Sequence, residues 1–285
     1  MHQDVDELLS FYDSRIGSHV RRLLARQIRE RWPNVAGMTV LGLGYAAPYL
    51  NQFRGEALRL GAMMPADQGA RLWPSYGPSR TMLVEEDMLP LPDLSVDRLL
   101  AVHAIEMSDA VKRTLREVWR VLKPEGRALI VVPNRRSIWA HRDGTPFGQG
   151  QPFSRGQLEQ LIANSMFAIE NCNYALAAPP LELRLLWRHA PSIERLGLKL
   201  WPAFSGVIIL EASKQVTATI PKGRPMPVRA AWRPARAAAA EAGQRVLAPA
   251  ARIAGQQEDG LRADHVLQHV RHADADALTK PIQRD

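Results

Sequence analysis

Short apolar runs separated by turn residues dominate the middle of the chain. Residues 82–84, 99–102 and 128–132 are apolar throughout and have Pro, Asp or Gly within three residues, which is typical of strands buried on both faces of a sheet. Between the last two runs, apolar residues recur at helical spacing with basic and acidic residues on the opposite side: Val111, Leu115, Val118, Trp119 and Leu122. The pattern predicts a helix that crosses over between two parallel strands.

Similar patterns flank this unit on both sides. An apolar face over residues 8–32 predicts one N-terminal helix beside the sheet, ended by Pro33 and Asn34. Further strands are predicted over residues 37–43, 57–63, 168–176 and 206–212, with helices over 49–54 and from a capping Ser154 to about residue 165. Strands that alternate with helices predict a parallel, doubly wound sheet.

The residues after the third predicted strand carry a recognisable motif. Residues 89–93 read LPLPD, 103–106 read HAIE, and 115–127 read LREVWRVLKPEGR. This part of the chain resembles the second half of the class I S-adenosylmethionine-dependent methyltransferase fold, in the branch that handles small molecules and lipids. A weaker resemblance extends over about residues 35–210. In the motif, Pro124, Glu125 and Gly126 are expected to form a turn, with Gly126 taking the reversing backbone angle.

The resemblance implies a fold and a cofactor. The fold is α/β, with a doubly wound, mostly parallel seven-stranded sheet, helices on both faces and an antiparallel hairpin at one edge. The cofactor is S-adenosylmethionine, held beyond the end of the first strand, where the strand order reverses. The implied contacts in the loop at this point are Gly42, Gly44, Tyr45 and Ala46.

That loop departs from the family pattern. The family places an acidic residue at the position of Gly42 and glycines at those of Ala46 and Pro48, so only Gly44 is kept. Alanine adds a methyl group and proline removes an N–H, which narrows the room for a ligand. After the second strand, Met64 stands near the position of a ribose-binding carboxylate, and a thioether is a weak acceptor.

The adenine contact of the family is better matched. Glu85 falls where an acidic residue accepts a hydrogen bond from the adenine amino group. Glu86 and Asp87 are close enough to replace it, and Met88 is placed to lie against the ring. The alternative interpretation is a solvated acidic turn.

Two further places offer polar chemistry. His103 ends the fourth predicted strand, where a general base would face the methyl acceptor, although a structural hydrogen-bonding histidine fits the pattern as well. His141 and Asp143 lie in the loop 134–153, which is expected to cover the ligand.

The helix stop at Pro33, the family resemblance and the change in charge together predict an N-terminal helical segment (1–34), a methyltransferase-like domain (35–213) and a tail (214–285). The tail holds 12 Lys or Arg against 7 Asp or Glu, and so carries +5 of the total charge of +8. Its Pro- and Ala-rich composition predicts disorder, with nonspecific contact to anionic partners through residues 214–240. Asp264, His265, His269 and His272 have spacing compatible with a metal, yet a disordered tail is favoured and no metal site is predicted.

Composition limits the other classes of protein. Cys172 is the single cysteine, which excludes an intramolecular disulfide and a thiolate-cluster metal site. An acidic N-terminus and the lack of a long apolar run predict neither a secretory signal nor a membrane span, and hence a cytoplasmic protein.

Three functions remain open, of which the weakest is a nucleic-acid or membrane-surface protein that binds through its basic tail and uses the fold as a scaffold. The preferred one is S-adenosylmethionine-dependent methyl transfer to a small-molecule or lipid-like acceptor, because the acidic turn and His103 stand where a working site needs them. The alternative is a catalytically inactive methyltransferase-like protein that binds a partner protein or ligand. Residues 180–204 interleave Leu and Trp with Arg, which suits a substrate cap or partner surface as well as ordinary packing.

Overall fold

The computed structural model describes residues 3–180 and 190–215, which contain one seven-stranded sheet. In chain order the strands are β1 (Thr39–Gly44), β2 (Arg59–Pro65), β3 (Thr81–Val84), β4 (Val96–Val102), β5 (Leu122–Pro133), β6 (Phe167–Ala175) and β7 (Val207–Lys214). Their spatial order is β3–β2–β1–β4–β5–β7–β6. Strands β1 to β5 pair in parallel, whereas β7 is antiparallel to both of its neighbours.

Helices cover both faces of the sheet and enclose two apolar cores. One core joins the sheet to the first three helices, and the other joins it to the fourth and fifth. The helices are α1 (Val5–Asp13), α2 (Arg15–Arg31), α3 (Ala47–Leu50), α4 (Val111–Val121), α5 (Arg155–Ala163) and α6 (Ala190–Leu200). The seven-stranded α/β architecture expected from the sequence is confirmed in a mixed form, with the antiparallel hairpin of β6 and β7 at one edge.

The prediction of a single N-terminal helix is wrong. Ser14 has an extended backbone, with φ −64° and ψ 164°, and it separates α1 from α2. Its hydroxyl accepts a hydrogen bond from the backbone N–H of Gly17 at 3.1 Å and caps α2. The break lets α1 take a direction of its own.

Strands and helices do not alternate throughout the sheet. Between β2 and β4, a stretch that the structure describes completely, the connections contain a 3-10 turn at Ala66–Gln68 and loops instead of α-helices. The predicted helix over 49–54 is a short α3 followed by a 3-10 turn at Asn51–Phe53, and β2 lies two residues later than predicted.

Of two turns predicted from the sequence, the cap at Ser154 is confirmed and the position of the reversing backbone angle after α4 is wrong. Ser154 caps α5 in a capping box with Gln157, as expected. The reversing backbone angle after α4 falls on Glu125, with φ 61°, and not on Gly126. Gly126 is needed there for space, because a Cβ atom would lie 2.7 Å from the carbonyl oxygen of Lys123.

Candidate functional site

The loop after β1 is pressed against the end of β4, at the point where the strand order reverses. Gly44 has φ 74°, and a Cβ atom there would lie 2.8 Å from the carbonyl oxygen of His103 and 2.9 Å from the Cβ of Ala104. The N–H of Tyr45 donates to the carbonyl oxygen of Val102 at 2.8 Å. Only glycine combines this backbone angle with so close an approach.

Helix α1 lies across the carboxyl ends of the parallel strands. Its inner face consists of Val5, Leu8 and Tyr12, all buried. The Tyr12 ring stacks on Tyr45 at 5.3 Å between centroids and meets Tyr49 edge-on at 6.1 Å. These contacts place an aromatic side chain of α1 directly over the loop after β1.

The first turn of α1 reaches the end of β2. A Cβ atom on Gly69 would lie 3.3 Å from Cγ1 of Val5, and Arg71 pairs with Asp6 at 3.0 Å between Nη1 and Oδ1. Helix α1 therefore spans the ends of β2, β1 and β4, which is the edge of the sheet where an α/β fold of this kind holds its ligand.

A buried hydrogen-bonded chain joins α1 to β4. His103 is 1% exposed, and its Nε2 lies 2.8 Å from the Tyr12 hydroxyl, while its Nδ1 lies 3.0 Å from Oε1 of Glu106. Phe147 packs against the imidazole at 5.1 Å between ring centroids, and the Gln68 amide donates to the His103 carbonyl oxygen at 3.3 Å.

The network sets the direction of the hydrogen bonds. Burial raises the pKa of Tyr12 well above its ordinary value, so the hydroxyl keeps its proton. A carboxylate only accepts hydrogen bonds, so Nδ1 of a neutral His103 carries the ring proton and donates to Glu106, which leaves Nε2 to accept from the Tyr12 hydroxyl. His103 thus has both ring nitrogens engaged inside the protein.

The first cofactor anchor of the family has no room here. A Cβ atom on Gly42 would lie 2.5 Å from the Cβ of Ala46 and 2.9 Å from Cδ1 of Leu50. A carboxylate at this position would therefore require α3 to move. Tyr45 and Ala46 are themselves buried, Tyr45 beneath the Tyr12 ring, and burial raises the pKa of Tyr45 to about 12.

The ribose anchor is also missing from the end of β2. Met64 is buried, and its sulfur accepts a hydrogen bond from the backbone N–H of Arg71 at 3.4 Å. Asp67, the next carboxylate along the chain, is exposed. With Tyr12 and Tyr45 filling the edge of the sheet, the residues present do not fit S-adenosylmethionine in this conformation.

The acidic turn after β3 lies at the surface. Glu85 and Met88 are exposed and close a tight turn, in which the Met88 N–H donates to the Glu85 carbonyl oxygen at 3.0 Å. Asp87 pairs with Arg113 at 3.0 Å, and Glu86 is half-buried. The structure therefore brings Tyr45, Ala46 and His103 together at the strand ends, and leaves the predicted adenine contacts in a solvated turn.

Of the two loop candidates, Asp143 lines an open cavity beside α1. The cavity has a volume of about 680 Å³ and lies between Asp6, Glu7 and Phe11 of α1 and the loop that holds Asp143. His141 is exposed, with its Nδ1 2.8 Å from the carbonyl oxygen of Ser137. Phe11 packs against Phe147, which in turn packs against His103, so two aromatic rings separate this cavity from the imidazole.

Sequence reasoning missed three members of the site, Tyr12, Glu106 and Phe147. A signal was available for Tyr12, which lies four residues after Leu8 on the apolar face of the predicted helix. No comparable sequence signal marks Phe147, because the sequence of a glycine-rich loop does not indicate which strand its aromatic residue will contact.

In 3–180 and 190–215, no three His, Cys, Asp or Glu side chains are grouped as a metal site would need. In the same residues, no helix has the length and apolar character to cross a membrane. The predicted tail features, including the Asp264 to His272 cluster, lie outside the described residues.

Comparisons with known proteins agree with the resemblance. Residues 42–130 match a family model described as a methyltransferase domain. A solved complex of the Haloferax volcanii Trm112 methyltransferase activator and a putative methyltransferase is similar over 75% of this chain and 100% of the matched chain, with a TM-score of 0.53 and 16% identity.

Two further solved structures give the same result. A possible histamine N-methyltransferase of Thermotoga maritima matches 74% of this chain and 96% of its own, with a TM-score of 0.52 and 15% identity. An S-adenosylmethionine-dependent methyltransferase of Archaeoglobus fulgidus matches 72% and 96%, with a TM-score of 0.52 and 17% identity. No curated protein sequence matches the chain significantly. Identities this low establish the fold alone. The resemblance expected from the sequence is confirmed for residues 42–130, which match the methyltransferase-domain model.

Proposed function

We propose that this chain, whose residues 42–130 match a methyltransferase-domain model, acts by binding a partner, with its cofactor crevice closed by its own N-terminal helix. The observation that carries the proposal is the position of Tyr12. Its ring is 1% exposed, stacks on Tyr45 and bonds to His103, so it fills the edge where the cofactor of this fold would lie.

The cost of opening the crevice supports a closed state. Val5, Leu8 and Tyr12 are between 0% and 7% exposed, and fully burying an apolar side chain contributes roughly 1.5–3 kcal/mol. Lifting α1 would therefore cost about 5–9 kcal/mol as an upper estimate. A ligand with a dissociation constant of 1 μM supplies about 8 kcal/mol in all. The free energy needed to move α1 is therefore similar to the whole free energy of binding such a ligand.

The chemistry of the crevice supports the same proposal. In the family pattern, carboxylates hold the cofactor after the first and second strands, whereas this chain has the crowded Gly42 and the buried Met64 at those points. A partner would then be recognised elsewhere on the molecule, and the surface around α6 is the strongest candidate.

Titration calorimetry tests the closed crevice. S-adenosylmethionine and S-adenosylhomocysteine are titrated into the full chain, into Glu85→Ala and into Glu30→Ala, a matched control because Glu30 is a surface residue of α2 paired with Arg26. We expect no heat of binding from either ligand at millimolar concentration. Micromolar binding that Glu85→Ala abolishes and Glu30→Ala retains would overturn the proposal.

Methyl transfer from S-adenosylmethionine to a small-molecule or lipid-like acceptor is the second candidate. One observation favours it: His103, linked to Tyr12 and Glu106, holds a proton-accepting nitrogen at the end of β4. This function requires α1 to leave the strand ends, and the overturning result above would support it.

A further inference from the structure

A cluster of large apolar side chains lies on the surface around the end of α6. Its members, here called the Trp201 surface, are each between 50% and 64% exposed: Ile138, Leu196, Leu200, Trp201 and Phe204. Ile138, Trp201 and Phe204 surround a cavity of about 260 Å³ whose floor includes Trp139 and Gly197. Exposed apolar groups gathered in this way, and not scattered singly, mark an interaction site.

The backbone beneath the Trp201 surface is firmly held. Glu194 is 7% exposed, and its carboxylate accepts hydrogen bonds from the N–H groups of Leu176 at 2.7 Å and Ala177 at 2.6 Å. A Cβ atom on Gly197 would lie 2.6 Å from the Cβ of Ala177, so the glycine allows α6 to pack closely on the segment after β6. The apolar side chains are therefore presented outward by a fixed helix.

The two segments that build the surface are tied together. The Asn134 amide donates to the carbonyl oxygens of Ala203 at 2.9 Å and Ser205 at 2.8 Å, which joins the loop after β5 to the turn after α6. Residues 134–142 and 190–206 therefore form one continuous face.

The exposed charge on these two segments has a single sign. Their one acidic residue, Glu194, is buried and faces backbone N–H groups. Their basic residues are all exposed: Arg135, Arg136, Arg142, Arg195 and Lys199. A protein partner would need a complementary acidic rim around an apolar centre, whereas an anionic lipid surface offers both features together.

We propose that the Trp201 surface docks the protein on an anionic lipid bilayer. Trp201, Phe204 and the leucines of α6 enter the interface between headgroups and acyl chains, where amphipathic aromatic rings are favoured. The anionic headgroups attract basic residues within about a Debye length of the membrane, and they face Arg135, Arg136, Arg195 and Lys199. The bilayer is thus the partner of the binding role proposed above, on which this inference depends.

Vesicle co-sedimentation of the full chain tests the docking. Vesicles of phosphatidylcholine alone are compared with vesicles that also contain phosphatidylglycerol. The test variant is Trp201→Ser/Phe204→Ser, and the control is Leu72→Ser/Tyr76→Ser, which removes two apolar side chains that are 79% and 85% exposed in another loop. All four side chains are at the surface, so circular dichroism is expected to be unchanged in both variants.

We expect binding to the anionic vesicles alone, weakened at least about tenfold in Trp201→Ser/Phe204→Ser and unchanged in the control. Equal binding of the test variant and the parent would assign the attraction to the basic tail and overturn the proposal. Binding of neither vesicle would overturn it in favour of a protein partner, and equal binding of both vesicles would refute the role of the basic rim. The vesicle assay contains no S-adenosylmethionine and the titration contains no lipid, so either proposal can fail without the other.

Discussion

The substitution of Tyr12 by phenylalanine tests whether α1 closes the cofactor crevice. Tyr12→Phe keeps the ring that stacks on Tyr45 and deletes only the hydroxyl that lies 2.8 Å from Nε2 of His103. The imidazole is 1% exposed, so water does not replace the lost donor. A buried acceptor left without a partner costs about 1–3 kcal/mol, and the free energy of unfolding should fall by that amount.

Urea denaturation followed by circular dichroism measures this change. With a slope of about 2 kcal/mol per molar urea, the midpoint should fall by about 0.5–1.5 M in Tyr12→Phe. Tyr76→Phe is the matched control, since the Tyr76 side chain is exposed and its midpoint should stay within the error of the parent.

An unchanged urea midpoint would refute the closure of the strand ends by α1. If Tyr12→Phe unfolds at the same urea concentration as Tyr76→Phe, the Tyr12 hydroxyl is solvated in solution and α1 does not close the strand ends. The energetic argument against cofactor binding would then be lost, although the crowding at Gly42 would remain.

One further substitution tests the loop after β1, and one thiol-labelling experiment tests the edge strand β6. Gly44→Ala should lower the free energy of unfolding by about 2–5 kcal/mol in thermal or urea denaturation, because it combines a left-handed backbone angle with overlap against the end of β4. Gly144→Ala is the control and should leave the free energy of unfolding unchanged, since there is open space around its Cβ position. Equal effects of the two substitutions would contradict the reasoning. Burial raises the pKa of the Cys172 thiol from 9.0 to about 11, so its thiolate population at pH 8 falls about 100-fold. The native chain should react with Ellman's reagent at least that much more slowly than the chain in urea, and a rate within tenfold of the unfolded rate would show that the thiol is accessible.

The strands and the crossover helix could be predicted from the sequence because their signals are local. The run at residues 128–132 is apolar throughout and belongs to β5, which is buried between its neighbours, and the helical spacing from Val111 to Val121 is that of α4. Ser154 followed by Gln157 also carries its own capping chemistry. Each of these elements is specified within about a dozen residues.

The closure of the site could not be predicted, because it depends on distant partners. Tyr12 and His103 are 91 residues apart in the chain, and nothing near either residue indicates the other. Ser14 interrupts the N-terminal helix by accepting a hydrogen bond from the Gly17 N–H, and this conformation competes closely with continuation of the helix. Once the break occurs, α1 is free to cross the strand ends, and a crevice expected to be open becomes core.

The position of β7 between β5 and β6 has a consequence for biosynthesis. Strand β5 ends at Pro133, yet its outer neighbour is the segment Val207–Lys214, and β6 joins the sheet only through that same segment. During translation, β5 therefore presents an unpaired edge until residue 214 has emerged, and such edges invite association with other chains. The sheet can be completed only after β7 has been synthesised, so a nascent chain halted before β7 would be prone to aggregate.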